Sequence, residues 1–269
     1  MQEMRIHEPE NKIKGKKGNV SKMVIEERLN EIIEKDGAVH LTLLDPDSQL
    51  PEVAGEIAQE AARGGTDAIM VGGSTGAAGI TVEETVQAIK ASCNLPVILF
   101  PGNAGGLSES ADAVFFMSLL NSRDVNYITT NQAIGAPIVY KSGIEPISMG
   151  YIVIEPGGAA GWVGDARLIP RNKPKLAVAY ALAAKYLGMH YIYLEAGSGA
   201  NKPVPVEMVA AVKKSVGTNK VIVGGGIRDG ATAKERVKAG ADMIVTGTIV
   251  EEVDNVREKI EELVNAIKF

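Results

Sequence analysis

One short stretch of the chain joins an acid to a loop of small residues. Residues 191–199 read YIYLEAGSG, so that Glu195 ends an apolar run and Ser198 lies in the loop that follows. The next segment, Val206–Val216, has the spacing of a helix. A helix N-terminus offers unpaired N–H groups and a positive dipole end to a phosphate. The stretch therefore predicts a phosphate site beside a carboxylate, although an ordinary strand-to-helix turn has the same composition.

Two later stretches repeat this arrangement and favour the phosphate interpretation. Residues 221–228 read VIVGGGIR and residues 243–248 read MIVTGT, and each precedes a helical pattern. Strands that alternate with helices in this way are typical of an α/β fold with a parallel sheet, here a (β/α)8 barrel. In such barrels the loops after strands seven and eight commonly hold a phosphate. The same three stretches therefore predict both the fold and the ligand class.

Acidic and hydroxyl side chains follow the first two predicted strands. Asp45 and Asp47 lie in LLDPD, and Ser74 and Thr75 close VGGST. Hard oxygen ligands that need not form a complete cage suit Mg²⁺, which keeps several waters and is shared with substrate phosphates. The composition Asp-Pro-Asp is also common in plain turns. The pattern is thus compatible with a diphosphate-bound metal shared by a carboxylate and a hydroxyl, or with a turn alone.

The general base is predicted to be a carboxylate. His40 and His190 begin strands and His7 lies in the N-terminal tail, whereas active groups of barrels lie where strands end. Because side chains alternate along a strand, Tyr193 faces the same way as Glu195. Its hydroxyl then either contacts a ligand or helps to fill the barrel.

Composition is consistent with these predictions. A chain of 269 residues with 45% hydrophobic content suits one large barrel or two small domains. The net charge of −5 and the pI near 5.4 argue against nucleic acid as a partner. The single cysteine, Cys93, excludes an intrachain disulfide. No run approaches the roughly 18 apolar residues of a transmembrane segment, and we predict a cytoplasmic protein.

The order of elements predicts one barrel domain over residues 21–269, preceded by a flexible basic extension over residues 1–20. Ser21 is predicted to cap an extra N-terminal helix that ends before Gly37. Predicted strands cover Val39–Asp45, Ala68–Gly73, Pro96–Phe100, Asp112–Ser118, Tyr151–Glu155, Tyr191–Glu195, Val221–Gly224 and Met243–Gly247. Predicted helices cover Pro51–Arg63, Thr81–Cys93, Asp124–Ile134, Pro174–Tyr186, Val206–Val216, Ala231–Ala239 and Val253–Ile267.

The barrel is predicted to lack the helix between strands three and four. Only Pro101–Ala111 separates these strands, and a parallel crossover ordinarily needs a dozen or more residues. The uncovered sheet is then either closed by a loop or partner subunit, or left as a groove for a long apolar ligand. With the apolar stretch Ile144–Ile154, it makes a homo-oligomer plausible.

The segment Gly157–Asn172 after the fifth strand is long enough for a lid or a binding loop. Its Trp162 either contacts ligand or pins the loop to the core. Arg171 and Lys173 either hold a diphosphate or begin a solvated helix.

Taken together, the motifs resemble those of the geranylgeranylglyceryl phosphate synthase family, the archaeal enzymes of ether-lipid synthesis. The resemblance runs from about His40 to the C-terminus. It is carried by HLTLLDPD, MVGGST, FPGN, YLEAGSG, VGGGIRDG and VTGT, in this order and on the expected strand ends.

The resemblance implies a Mg²⁺-dependent prenyltransferase. Such an enzyme moves a C20 prenyl group from geranylgeranyl diphosphate to the 3-hydroxyl of sn-glycerol 1-phosphate and releases diphosphate. Asp45 and Ser74 would place Mg²⁺, and Glu195 would orient or deprotonate the hydroxyl, with Tyr193 beside the glycerol or the allylic cation. The residues implied to bind the glycerol phosphate are Tyr193, Leu194, Glu195, Ala196, Gly197, Ser198, Gly199, Gly224, Gly225, Gly247 and Thr248.

Three alternatives stay open at this point. The related bacterial heptaprenylglyceryl phosphate synthases carry a lysine where this chain has Leu43, which favours the archaeal branch without settling the length of the prenyl chain. A phosphate-binding barrel isomerase or synthase would share the glycine loops, although Leu41 and Leu43 make the first strand's inward face apolar. A carrier without catalysis would not need Asp45, Ser74 and Glu195 together.

Overall fold

A computed structural model describes residues 24–73 and 79–269 of the chain. Eight parallel strands form a closed barrel in sequence order, and the eighth strand pairs with the first. The predicted (β/α)8 barrel is confirmed. The strands are β1 Val39–Leu44, β2 Ala68–Val71, β3 Val97–Leu99, β4 Ala113–Leu119, β5 Glu145–Val153, β6 Tyr191–Glu195, β7 Lys220–Gly224 and β8 Met243–Thr246.

Helices surround the barrel, and one further helix lies ahead of it. Several predicted bounds are met to the residue, among them those of the second, sixth and seventh helices. The helices are α1 Ile25–Asp36, α2 Pro51–Arg63, α3 Ile80–Ser92, α4 Asn131–Ser142, α5 Gly158–Val163, α6 Pro174–Tyr186, α7 Val206–Val216, α8 Gly230–Lys238, α9 Thr248–Glu252 and α10 Val256–Ile267. The predicted helix Val253–Ile267 corresponds to α10, which starts at Val256, and the short helix α9 was not predicted.

Strand alternation divides the buried side chains into an inner and an outer core. Tyr191 and Tyr193 of β6 point into the barrel, whereas Ile192 and Leu194 of the same strand pack under the helices. The inner core is rich in aromatic rings, and Phe115 and Tyr191 meet edge-on with centroids 6.2 Å apart. Aromatic side chains therefore fill the barrel beneath the ends of the strands.

Helix α1 closes the N-terminal end of the barrel. Leu29 and Ile33 join the inner core. The Glu145 carboxylate accepts hydrogen bonds from the N–H groups of Ile25, at 2.6 Å, and Glu26, at 3.0 Å. The helix therefore starts at Ile25, with Val24 at the N-cap position and a cap from β5, and the predicted cap Ser21 lies outside the described residues. Residues 1–23, which include the predicted extension and His7, lie outside the described residues.

The crossover between β3 and β4 lacks an α-helix, as predicted. The segment from Phe100 to Asp112, which is described throughout, holds a single 3₁₀ turn at Ala104–Gly106. Glu83 of α3 fastens this loop by accepting hydrogen bonds from the hydroxyls of Ser108 and Ser110. These bonds lower the pKa of Glu83. The loop is thus tied to the preceding helix.

The segment before β5 differs from its prediction. A π-helical turn at Asn126–Thr130 leads into α4, which continues through the exposed Pro137 to Ser142 instead of ending at Ile134. Proline lacks the N–H that would make a helical hydrogen bond, and the loss of this bond costs less on an exposed face. Gly143, with φ of 75°, ends the helix in the left-handed conformation.

Strand β5 consequently starts at Glu145, six residues before the predicted Tyr151. Its Ile147, Met149 and Ile152 are fully buried. The stretch Ile144–Ile154 is therefore barrel core, and its use as an exposed oligomer surface was a wrong prediction.

Within the described ranges, no helix is long and apolar enough to cross a membrane.

His40 occupies a buried polar network on the outer face of β1. Its Nδ1 lies 2.9 Å from the Thr66 hydroxyl and its Nε2 lies 3.1 Å from the Thr246 hydroxyl. Burial, with a smaller contribution from the Lys268 charge, lowers the pKa of His40 from 6.5 to about 3. The imidazole is therefore neutral in the folded protein and structural, as its position at the start of a strand predicted.

We expect this histidine to destabilise the fold in acid. Below about pH 6.5 the histidine of the unfolded chain binds a proton, whereas folded His40 stays neutral down to about pH 3. The free energy of unfolding therefore decreases as the pH falls through this window. The contribution is up to about 1.4 kcal/mol per pH unit. Urea unfolding between pH 7 and pH 4 should give a steeper pH slope for the wild type than for His40→Asn. Equal slopes would contradict this assignment, and His190→Asn, at an exposed histidine, is the control.

Candidate active site

A large cavity opens where the barrel strands end. Asp45, Glu195, Ser198 and Thr248 all line it, so the structure brings the main predicted site residues together. The same cavity reaches Val114 and Phe116 of β4. Because Ala113 and Phe115 point inwards, these two side chains lie on the outer face of the strand. The cavity therefore passes over β4 on the side where the helix is missing.

The apolar end of the cavity lies between the β3–β4 loop and α4. Leu107 of the loop packs against the outer core and also lines the cavity, as does Gly135 of α4. The loop thus covers part of the sheet and leaves a groove beside it. Both alternatives from the sequence, a covering loop and an apolar groove, are realised together.

The other end of the cavity has the features of a phosphate cradle. The hydroxyls of Ser198, after β6, and Thr248, after β8, lie 2.9 Å apart. Gly199, Gly225 and Gly226 adopt left-handed backbone conformations, with φ of 68°, 80° and 72°. Within the described residues, the N–H groups of Ser198 and these three glycines donate to no acceptor. Such a concavity of free N–H and hydroxyl donors suits an anion.

Glu195 lies at the floor of this cradle and is 7% exposed. Burial raises the pKa of its carboxyl, while hydrogen bonds from the Gly197 N–H and from the hydroxyls of Tyr193 and Tyr151 oppose the rise. The Gly197 nitrogen lies 2.5 Å from Oε1. These donors fix the orientation of a carboxylate that is more basic than usual.

Tyr193 and Tyr151 fill the barrel, which was one of the two alternatives for Tyr193, and both donate hydrogen bonds to Glu195, which neither alternative included. Their rings are tilted by 35° with centroids 5.1 Å apart, and the Phe100 ring lies 5.5 Å from each. Burial, and then the charge of Glu195, keeps the pKa of both phenols well above 10.0, so they stay neutral donors. They fill the barrel and hold the acid. Sequence reasoning missed Tyr151, which pairs in register with Tyr193 on the neighbouring strand.

Four residues implied for phosphate binding lie behind the cavity surface. Leu194 and Ala196 pack in the outer core, and the Ala196 N–H bonds to the Gly224 carbonyl. The Gly197 N–H is taken by Glu195. A Cβ on Gly224 would come within 2.0 Å of the Tyr193 hydroxyl. Gly197 therefore holds the Glu195 carboxylate, and Gly224 leaves room for the Tyr193 hydroxyl. Only strand direction and loop geometry reveal these roles.

Asp45 lies across the cavity, immediately after β1. Burial raises the pKa of its carboxyl, against a hydrogen bond from the Asp47 N–H at 3.0 Å. A Cβ on Gly73 would come within 2.2 Å of Asp45 Oδ1, so the carboxylate abuts the end of β2. Ser74 and Thr75, the predicted hydroxyl partners, lie outside the described residues. The side chain of Asp47 is exposed and does not line the cavity.

A second acid near Asp45 was missed from the sequence. Glu251 of α9 lines the cavity, and burial followed by the charge of Asp45 raises the pKa of its carboxyl. The described residues contain no group of three metal-binding acids, histidines or cysteines. The carboxylates of Asp45 and Glu251 are hard oxygen donors, which fit a cation such as Mg²⁺ that keeps water and takes further oxygens from a diphosphate.

The basic residues before α6 do not reach the cavity. Arg171 donates instead to the carbonyls of Glu155, Lys202 and Pro203, at 3.2, 3.2 and 2.8 Å. It braces the loop after β6, a role that neither alternative from the sequence included. Trp162 is 85% exposed and lies off the cavity, so it neither pins its loop to the core nor lines the site.

A (β/α)8 barrel whose phosphate cradle, buried carboxylate and apolar groove share one cavity defines a class: enzymes that act on a phosphate-bearing substrate together with a long apolar one. Residues 30–267 match the model of the PcrB family. The chain therefore belongs to the PcrB family, and relatives that match most of its length bear the name geranylgeranylglyceryl phosphate synthase.

The relatives cover nearly the whole chain. A geranylgeranylglyceryl phosphate synthase of Methanococcoides burtonii is 68% identical over 246 residues, which are 91% of this chain and 100% of the relative. That of Thermococcus kodakarensis is 57% identical over 247 residues, 91% of this chain and 97% of the relative. The resemblance seen in the motifs is confirmed.

A solved structure supports the same placement. The crystal structure of (S)-3-O-geranylgeranylglyceryl phosphate synthase from Thermoplasma acidophilum, in complex with its substrate sn-glycerol-1-phosphate, is 45% identical. It superposes with a TM-score of 0.88 and covers 91% of this chain and 99% of that one. A thiamine phosphate pyrophosphorylase from Pyrococcus furiosus, 17% identical with a TM-score of 0.55, shares the fold alone.

Proposed function

We propose that this chain is a prenyltransferase that joins the C20 chain of geranylgeranyl diphosphate to the 3-hydroxyl of sn-glycerol 1-phosphate and releases diphosphate. The observation that carries the proposal is one cavity with three parts: a phosphate cradle, a buried acid and a groove over the outer face of β4. An isomerase or synthase that acts on small sugar phosphates does not need an apolar groove to bind its substrate.

The glycerol phosphate belongs in the cradle. Its phosphate accepts hydrogen bonds from the hydroxyls of Ser198 and Thr248 and from the free N–H groups of Gly199 and Gly225. The 3-hydroxyl then faces Glu195, which accepts its proton as the oxygen forms a bond to the allylic carbon and the bond from that carbon to diphosphate breaks. Tyr193 and its partner tyrosine hold the carboxylate in position.

The prenyl diphosphate belongs on the opposite side, with its diphosphate near Asp45 and its chain along the groove. Asp45, with the predicted Ser74, would hold Mg²⁺ there. Bound Mg²⁺ would neutralise the charge that develops on the leaving diphosphate. Leu107, Val114 and Phe116 bury the apolar chain and keep water away from it.

A direct assay tests the proposal. Purified protein with sn-glycerol 1-phosphate, geranylgeranyl diphosphate and Mg²⁺ should release diphosphate and form an ether-linked product detectable by mass spectrometry. The enantiomer sn-glycerol 3-phosphate tests whether the site also distinguishes the configuration at C2, which contacts at the two ends alone do not fix. Farnesyl and longer diphosphates test the chain length. No ether with any of them would contradict the proposal.

We also propose a cytoplasmic homo-oligomer, on a different surface from the one predicted. Ile134 and Ile138, one turn apart on the same face of α4, are 57% and 41% exposed. An exposed apolar face of this kind supports association. Light scattering during gel filtration should give a mass above the 28.3 kDa of one chain.

A further inference from the structure

The charges around the cavity are unbalanced. Among the described lining residues, three are carboxylic acids, Asp45, Glu195 and Glu251, and one, Arg228, is a strong base. The proposed reaction brings two anions, a phosphate and a diphosphate, into this acidic surrounding. A fixed cation beside each anion would offset the repulsion. On the diphosphate side the proposed Mg²⁺ would supply this cation, and on the phosphate side Arg228 is the available group.

Arg228 lies at the edge of the phosphate cradle. It follows the glycine loop after β7, and its Nη2 lies 3.4 Å from the carbonyl oxygen of Gly199. Its Nη1 lies 3.8 Å from a carboxylate oxygen of Glu252, on the helix that begins with Thr248. The guanidinium thus lies between the two loops whose hydroxyls form the cradle.

Neither contact occupies the guanidinium strongly. A distance of 3.4 Å is long for a hydrogen bond, and 3.8 Å is an ion pair without a hydrogen bond. The side chain is half-exposed, so this pair is weak. Five N–H donors in a planar fork match the oxygens of a phosphate closely. A dianionic phosphate is therefore a better partner for Arg228 than its present ones.

We propose that Arg228 binds the phosphate of the glycerol phosphate substrate and gives up its contact with Glu252 when it does so. The residue thereby selects a charged phosphate over an uncharged glycerol. The identity of the substrate rests on the proposed function, whereas the anion site does not. The competing explanation is that Arg228 merely braces the loop after β6 against α9.

A matched pair of variants separates the two explanations. Arg228→Gln should raise KM for sn-glycerol 1-phosphate by about 10- to 100-fold, as expected for lost charged hydrogen bonds. KM for the prenyl diphosphate should stay within about twofold. Glu252→Gln should lower KM for the glycerol phosphate or leave it unchanged, because it frees the guanidinium. If Arg228 only braces the loop after β6 against α9, both variants should raise KM for the glycerol phosphate. Arg257→Gln, in an exposed pair with Glu261, is the unaffected control.

A binding measurement keeps this inference separate from the reaction. Calorimetry with sn-glycerol 1-phosphate, without prenyl diphosphate, should show affinity lost in Arg228→Gln and kept in Glu252→Gln. If the wild type forms no ether but this difference remains, the proposed reaction fails and the anion site stands. If ether forms normally and Arg228→Gln binds the glycerol phosphate like the wild type, the inference is overturned.

Discussion

Glu195→Gln is expected to lower kcat by about 10²- to 10⁴-fold, the usual contribution of a general base. Glutamine keeps one oxygen for the Gly197 N–H, and its amide NH2 group can donate to the tyrosine hydroxyls, so the site should keep its shape. It cannot accept the proton of the attacking hydroxyl. Single-turnover measurements with saturating substrates report this step directly. Full turnover by the variant would refute the assignment of Glu195 as the base.

The pH dependence gives a second measurement on the same residue. Burial raises the pKa of Glu195 above its ordinary value of 4.5. The base is active when ionised, so wild-type activity should fall as the pH decreases through this raised pKa. The residual activity of Glu195→Gln should lack that acid limb. Tyr151→Phe removes a donor that lowers the pKa of the carboxyl, and should therefore shift the limb to higher pH.

Asp45→Asn is expected to cause the second large loss, about 10²- to 10⁴-fold in kcat/KM for the prenyl diphosphate. An amide removes the negative charge that would attract the cation. The Mg²⁺ concentration needed for half-maximal activity should also increase. Mn²⁺ binding, followed by its paramagnetic resonance signal in the presence of diphosphate, measures the same loss without the reaction.

Asp47→Asn is the matched control for this variant. The same chemical change is made two residues away, at an exposed carboxylate that does not line the cavity. Its activity and Mg²⁺ requirement should stay close to those of the wild type. Equal losses in both variants would show that the charge of the loop, rather than Asp45 itself, supports the reaction.

Much of the candidate site was predictable because barrels place active groups at strand ends. The alternation of YIYLE put Tyr193 and Glu195 on one face, and the structure has them there. The short connection between β3 and β4 predicted a missing helix. Both features depend only on local spacing and chain length, which sequence records directly.

Other parts of the site depend on neighbours that are distant in the chain. Tyr151 reaches Glu195 because β5 and β6 pair in a particular register. Arg228 meets Gly199 and Glu252 only after three loops gather at one end of the barrel. No local pattern marks these residues as partners, and Glu251 was missed for the same reason.

The sequence by itself determined the eightfold strand and helix period, the glycine-rich ends of the last strands and the face on which the buried acid lies. These follow from burial periodicity and from the backbone freedom of glycine. Only the tertiary structure decided which donors hold Glu195, which loop residues stay free for a phosphate and where the apolar groove runs. Barrel closure and strand register set the distances between these groups, and the amino-acid sequence alone specifies neither in a readable form.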